Sequence, residues 1–316
     1  MTDEKEKNPL GKLIRQPQIY VRLPSGGRYN KNKIDFTATG EVPVRALTAR
    51  DNLLLKNPDA LLNGDAVEGM IRSCVPEIHN AKETPMNDID LLILAIKYAS
   101  SGDKFEFKTA CPKCGTEHNV VKSIRAMIES ATEVPELNSV KFEEEDKETH
   151  EKLNIEIILR PYTFENHLRA NMADFESQKR LGYVRTLYDA ALPEIASDEE
   201  KIKRSEELEK VVRGQMKEIF TNMADLTLHL MIESVSQINL TSEKTGVKVI
   251  TDREFIKEYI WNLDDDKNSV IKAKMKEVMS YGVDKKVQMV CVNPECKHEW
   301  VTEVGYDHSN FFVTSS

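Results

Sequence analysis

Four of the five cysteines occur as two close pairs, the arrangement that a thiolate metal site requires. Cys111 and Cys114 lie in CPKCG with C-x2-C spacing, and Cys291 and Cys296 lie in CVNPEC with C-x4-C spacing. Either pair alone is half a site, because two thiolates cannot close a tetrahedral shell. Brought together, the four form a soft, closed donor set suited to structural zinc, with no position left for water or substrate. Free thiols or a redox dithiol are the competing readings. His118 or His298 would be a substitute ligand, although each sits beyond its turn. Cys74, on an apolar helix pattern, reads as a packing residue rather than a fifth ligand.

Other candidates for chemistry are weaker. PSGGRYNKNK (24–33) is Gly-rich but lacks the G-x-x-x-x-G-K-[ST] phosphate loop, so it reads as a turn between strands. His229, in LTLHLMI, reads as a satisfied core histidine. Asp264, Asp265 and Asp266 lack the spacing and bidentate glutamate of an EF-hand and fit a loop leading into a helix N-terminus. Trp300 and the Phe311-Phe312 pair are expected to pack over the cysteine turns or to dock on a partner. No nucleophile–base arrangement stands out, and the expectation is a protein that is not an enzyme.

The elements that must carry the cysteines are short strands. FEFKTA precedes CPKCG and EHNVVKSI follows it, while KKVQMVCVNPECKHEWVTEV (285–304) repeats strand, cysteine turn and strand. Two such hairpins facing each other make a zinc ribbon. Here its halves are 177 positions apart, from Cys114 to Cys291. Loop closure entropy grows only logarithmically with length, and structural zinc contributes roughly 10–16 kcal/mol in small peptides, so a split ribbon is tolerable.

Elsewhere the fold class reads as α+β, mostly helical with short β-hairpins. A flexible N-terminal arm spans 1–16. Residues 17–129 form a hairpin and helical region that carries the first half-ribbon. Within it, QIYVRL is a strand breaking at Pro24-Ser25-Gly26-Gly27, and residues 34–47 read as a hairpin turning near Thr39-Gly40. Thr48 caps one helix, and Asn57-Pro58 starts another. AVEGMIRSCV is a third, and DIDLLILAIKYASS (88–101) is a fourth, stopped by Gly102. Residues 133–151 hold eight acidic side chains against two lysines, and 130–152 reads as an acidic, solvated linker. Residues 153–237 form a helical insertion after an initial strand, with 197–220 exposed and 223–235 in the core. Residues 238–316 supply a hairpin, a helix opened by a Thr251–Glu254 capping box, a last helix and the second half-ribbon.

The bulk composition bounds the function. In 316 residues there are 53 acidic and 44 basic side chains, a net charge of −9. Such a chain has no general attraction to nucleic acid or an anionic membrane, so nucleic acid is not expected as a partner. A zinc-ribbon nucleic-acid module remains as an alternative, resting on Lys285, Lys286 and Lys297. The longest apolar run, IDLLILAI, is far short of the roughly 18–20 residues of a membrane span, so no membrane partner is expected. The N-terminus has no apolar signal core, which suggests a protein made and assembled inside a cell.

One stretch resembles a known family. RLPSGGRYNKNKIDFTATGEVPVRALTARDNLLLKNPDALLNGDAVEGMIRSCVPEI is similar to the N-terminal signature of the baseplate hub proteins of T-even-type contractile-tailed phages. The shared pattern is LPS-x-G, G-x-V-x-V-R, a Leu-rich helix, and an NG-D-A helix ending in S-C-V. Residues 238–312 resemble the C-terminal part of longer members: a hairpin, a D-x-x-x-I-K-x-x-I helix, a cysteine turn and a closing Phe-Phe. Residues between about 130 and 235 have no such likeness. The resemblance implies a non-enzymatic tail morphogenesis protein, a structural subunit of the baseplate hub or, alternatively, a hub assembly chaperone absent from the mature virion. Its partners would be other phage tail and baseplate proteins, with no small-molecule substrate. It would reside in the virion tail baseplate or, during assembly, in the host cytoplasm.

Overall fold

The computed structural model describes residues 15–30, 33–146, 149–191, 198–242, 244 and 246–304, with nine helices and ten strands among them. The class is α+β, with more sheet than the helical reading anticipates. The described residues fall into two units, one within Met1–Glu136 and Met279–Ser316, the other within Leu137–Val278.

In the first unit, β1 (Ile19–Val21) pairs antiparallel with β2 (Val42–Val44), placing Tyr20 opposite Pro43. The expected 34–47 hairpin is therefore replaced by a longer-range pairing. A turn does form at 37–41, but Ile34 bridges to Ile78 instead of to the returning strand. Pro43 has no N–H to give, and a two-stranded sheet with two edges accommodates it. α1 (Ala49–Leu54) opens with a reciprocal Thr48–Asp51 capping box, and Asn57 caps α2 (Pro58–Leu62) with Pro58 in its first turn. α3 (Asp65–Cys74) follows.

The core is built on α4 (Met86–Ser101), in which Ile89 and every residue from Leu91 to Ile96 are at most 1% exposed. A helix buried at every position from Met86 to Lys97 must be surrounded, and α3, β1, β2 and α5 (Ile124–Glu129) pack around it. Gly102, at φ 82°, ends it. The Pro24–Gly27 turn is pinned to this helix: Asp88 accepts from the Ser25 N–H at 2.8 Å and from the Ser25 hydroxyl at 2.5 Å. Gly27 has φ 72°, and a Cβ there would lie 2.5 Å from the Phe36 ring, so only glycine fits. Two hairpins complete the unit, β3 (Lys104–Ala110) with β4 (Glu117–Ser123), and β9 (Lys286–Val290) with β10 (Glu299–Glu303).

The second unit is organised on a four-stranded antiparallel sheet, ordered β5 (Ser139–Glu145), β6 (Lys152–Leu159), β7 (Val235–Ser242) and β8 (Gly246–Ile250). Val140 and Phe142, Ile155 and Ile157, and Ile238 and Leu240 align across one face. Lys141, Glu156 and Asn239 line the other. β5 lies in the stretch that its charge makes look like a solvated linker. Ahead of its three consecutive glutamates, Ser139 and Lys141 alternate with Val140 and Phe142, so one face is apolar enough to join a sheet.

α6 (Phe164–Ala191) and α7 (Asp198–Ser234) form a long helical hairpin between β6 and β7. Among the described side chains of α7, Ile219, Met231, Ile232 and Ser234 are buried while Leu226, Leu228 and Leu230 are half-buried, so the expected core segment 223–235 is only partly buried. α8 (Arg253–Trp261) buries Ile256 and Ile260, and α9 (Asp265–Ser280) buries Ile271, Met275 and Val278. The cap of α8 is Asp252, which accepts from the N–H groups of Glu254 and Phe255, one residue beyond the expected Thr251.

Candidate metal centre

Each cysteine pair occupies the turn of its hairpin, and backbone hydrogen bonds set both turns. In the first, Cys111 N–H donates to the Thr116 carbonyl and Gly115 N–H to the Cys111 carbonyl, both at 2.9 Å. Gly115 takes φ 73°, which closes the turn. In the second, Cys291 N–H donates to the His298 carbonyl at 2.9 Å. Cys296 and Lys297 N–H both donate to the Asn293 carbonyl, at 3.0 and 3.1 Å, and Lys297 adopts φ 44°.

The hairpins meet through their inner faces. Thr109 and Thr302 approach to 3.5 Å between hydroxyls, and the buried His118 ring stands edge-on to Trp300 at 5.1 Å between centroids. The His298 ring stacks parallel to Trp300 at 6.1 Å between centroids. Alternation along each strand sends Phe105, Val120 and Val287 inward and Lys104, Glu106, Gln288 and Glu303 outward.

This packing brings together all four sulfurs expected from the sequence. The Sγ atoms of Cys111, Cys114, Cys291 and Cys296 lie within 4.8 Å of one another. Cys114 and Cys291 are 3.5 Å apart, and Cys111 and Cys296 are 3.9 Å apart. Tetrahedral zinc with sulfur at about 2.3 Å places its sulfurs about 3.8 Å from each other, so the spacing suits such an ion. No histidine belongs to this group among the described residues.

The thiols are unequal. The Thr116 hydroxyl, 3.2 Å away, with the Thr116 backbone, draws the Cys114 thiol down to about 6. Burial pushes Cys291 up to about 12. Four thiolates at these distances repel one another, and a bound dication is what would hold all four ionised. Cys74 is fully buried on α3 and pushed up to about 12 by burial, in keeping with a packing role.

The other candidate residues disperse. The Gly-rich stretch 24–30 is the turn held by Asp88. His229 is exposed and lies edge-on to Trp261 at 6.3 Å, which overturns the core-histidine expectation; Leu226, Leu228 and Leu230 around it are only partly buried. Asp264 accepts from the Lys267 N–H at 2.9 Å, a helix-start contact. Of the basic group near the ribbon, Lys285 is tied to the buried Asp90. That leaves Lys286 and Lys297 exposed among Glu295, Glu299 and Glu303, a surface of mixed sign. Phe311 and Phe312 lie outside the described residues, as does nearly all of the 1–16 arm.

Sequence reasoning missed one anchor in that arm. Arg15 donates to the Ser73 carbonyl at 2.7 Å, to the Ala46 carbonyl at 2.8 Å and to Asp51 at 3.2 Å. It also reaches Cys74 at 3.3 Å. A lone arginine in a charged arm gives no periodic signal of such a clamp.

Among the described residues, no helix is long and apolar enough to cross a membrane. No curated protein and no solved structure matches the chain. The family model described as T4 bacteriophage base plate protein matches residues 17–313, and the chain belongs to that family.

Proposed function

We propose that the protein is a non-enzymatic structural subunit of the baseplate hub of a contractile tail, closed by a structural zinc ribbon at Cys111, Cys114, Cys291 and Cys296. The observation that carries this reading is membership of the base plate family over nearly the whole chain. The four-sulfur cluster supports the metal, because its donor set and spacing suit zinc and leave no open coordination position. A closed site of this kind holds segments together and activates no water, which favours scaffold over catalyst. The mixed charge around the ribbon disfavours a nucleic-acid module. The partners on this reading are other tail and baseplate proteins.

Quantitative mass spectrometry of purified particles and infected-cell lysate tests the assignment. A few copies per particle, in a ratio matching tail symmetry, is the expected result. Abundance in lysate with absence from particles would instead make it a hub assembly chaperone. Elemental analysis of the purified protein tests the metal separately, with one zinc per chain expected.

A further inference from the structure

The four cysteines are ordered in a way that the metal reading does not use. Two close approaches run from one hairpin to the other: Cys114 to Cys291 at 3.5 Å and Cys111 to Cys296 at 3.9 Å. Each of these cross-hairpin pairs joins a more accessible sulfur to a buried one. Cys114 is exposed and Cys291 buried, while Cys296 is half-buried and Cys111 buried. An oxidant arriving from solvent meets the accessible member first, and a thiol able to resolve the product stands 3.5 or 3.9 Å away on the opposite hairpin.

We propose that this centre is also an oxidation site, at which peroxide converts the four thiols into two cross-hairpin disulfides, Cys114–Cys291 and Cys111–Cys296. At each pair the accessible thiolate attacks one peroxide oxygen. The O–O bond breaks, hydroxide leaves and takes a proton to become water, and a sulfenic acid remains. The buried thiol then gives up its proton and attacks the sulfenic sulfur. The S–O bond breaks, the departing hydroxide takes that proton as a second water, and the S–S bond forms. Each disulfide therefore consumes one hydrogen peroxide, which is reduced by two electrons while two thiols are oxidised.

The chemical consequence is specific to the pairing. Disulfides within each turn, Cys111–Cys114 and Cys291–Cys296, would destroy the metal site and leave no covalent link between the hairpins. Cross-hairpin disulfides destroy it and keep the same two hairpins joined, now covalently. A chain closed by a thiolate-bound metal in a reducing cell would then remain closed outside it.

The test uses the full-length wild-type protein, treated with a zinc chelator and then with hydrogen peroxide. Remaining thiols are alkylated, and the chain is digested without reductant and mapped by mass spectrometry. The expected result is loss of all four cluster thiols, with peptides linked as Cys114–Cys291 and Cys111–Cys296. Peptides linked within each turn overturn the proposal, as do sulfinic acids without cross-links. Under the same treatment, Cys114→Ser should still form Cys111–Cys296 and leave Cys291 alkylated; Cys291 pairing with Cys296 refutes it. The wild-type map decides the matter if that variant does not fold. Zinc content is read before oxidation, so failure of the metal reading and failure of the pairing are separate results.

Discussion

The carboxylate of Asp88 gives a quantitative test of the core around α4. It is fully buried, and burial raises its pKa from the ordinary 3.8 to about 6, against the opposing pull of the Ser25 hydrogen bonds and the nearby Arg28 guanidinium. In the unfolded chain the group ionises near its ordinary value. Between these two values the native state holds a proton that the unfolded state has lost. Stability from this group is therefore lowest above about pH 6 and rises as the pH falls toward 4. A gap of about two pH units at about 1.4 kcal/mol each gives about 3 kcal/mol.

Asp88→Asn removes the titration and keeps the shape. Its carbonyl can accept the Ser25 N–H, and its amide can donate to the Ser25 hydroxyl turned to accept. Urea unfolding at steps from pH 4 to 8 would be followed by Trp300 fluorescence in a Trp261→Phe background, because Trp300 and Asp88 share a unit. The wild type should gain about 3 kcal/mol on the variant as the pH falls across that range. Parallel stability curves would refute the argument. A wild type that loses ground on acidification would show that Ser25 and Arg28 hold the group ionised.

Three further outcomes are expected. Ile93→Ala, at a fully buried position of α4, should cost about 2–5 kcal/mol in the same unfolding assay. Lys285→Ala should cost about 3 kcal/mol by leaving Asp90 buried without its ammonium partner, and Asp90→Asn added to it should restore much of that loss, which a double-mutant cycle measures. Chelation should release one zinc and make Cys111, Cys114, Cys291 and Cys296 react rapidly with a thiol reagent, while Cys74 reacts only on unfolding.

The features legible in the sequence were those written in local chemistry. Thr48, Asn57-Pro58 and Gly102 mark helix boundaries through their own side chains or backbone freedom, and the structure places them there. The cysteine turns were legible because strand alternation flanks both pairs, and their meeting followed from needing four donors. Less legible were features that depend on distant partners. β2 pairs with a strand some twenty residues earlier because a local hairpin would leave Val42 and Val44 without the core that buries them. β5 was hidden by its glutamates, whose net charge says nothing about which face each one occupies. His229 looked internal because its neighbours are leucines, but an exposed helical stretch can carry leucines half in solvent.

The place where the long helical hairpin joins its sheet has a consequence for the length of the chain. Leu159 and Val235 are register partners on adjacent strands, and Arg160 N–H donates to the Ser234 carbonyl at 2.7 Å. The excursion through α6 and α7 thus leaves and returns on a single rung of the ladder. A tight turn could bridge that rung, so the sheet has no stake in how far the helices extend. Whole heptads could be removed from both helices, or added to them, while every strand keeps its neighbour. The reach of this arm is free to vary independently of the fold that carries it.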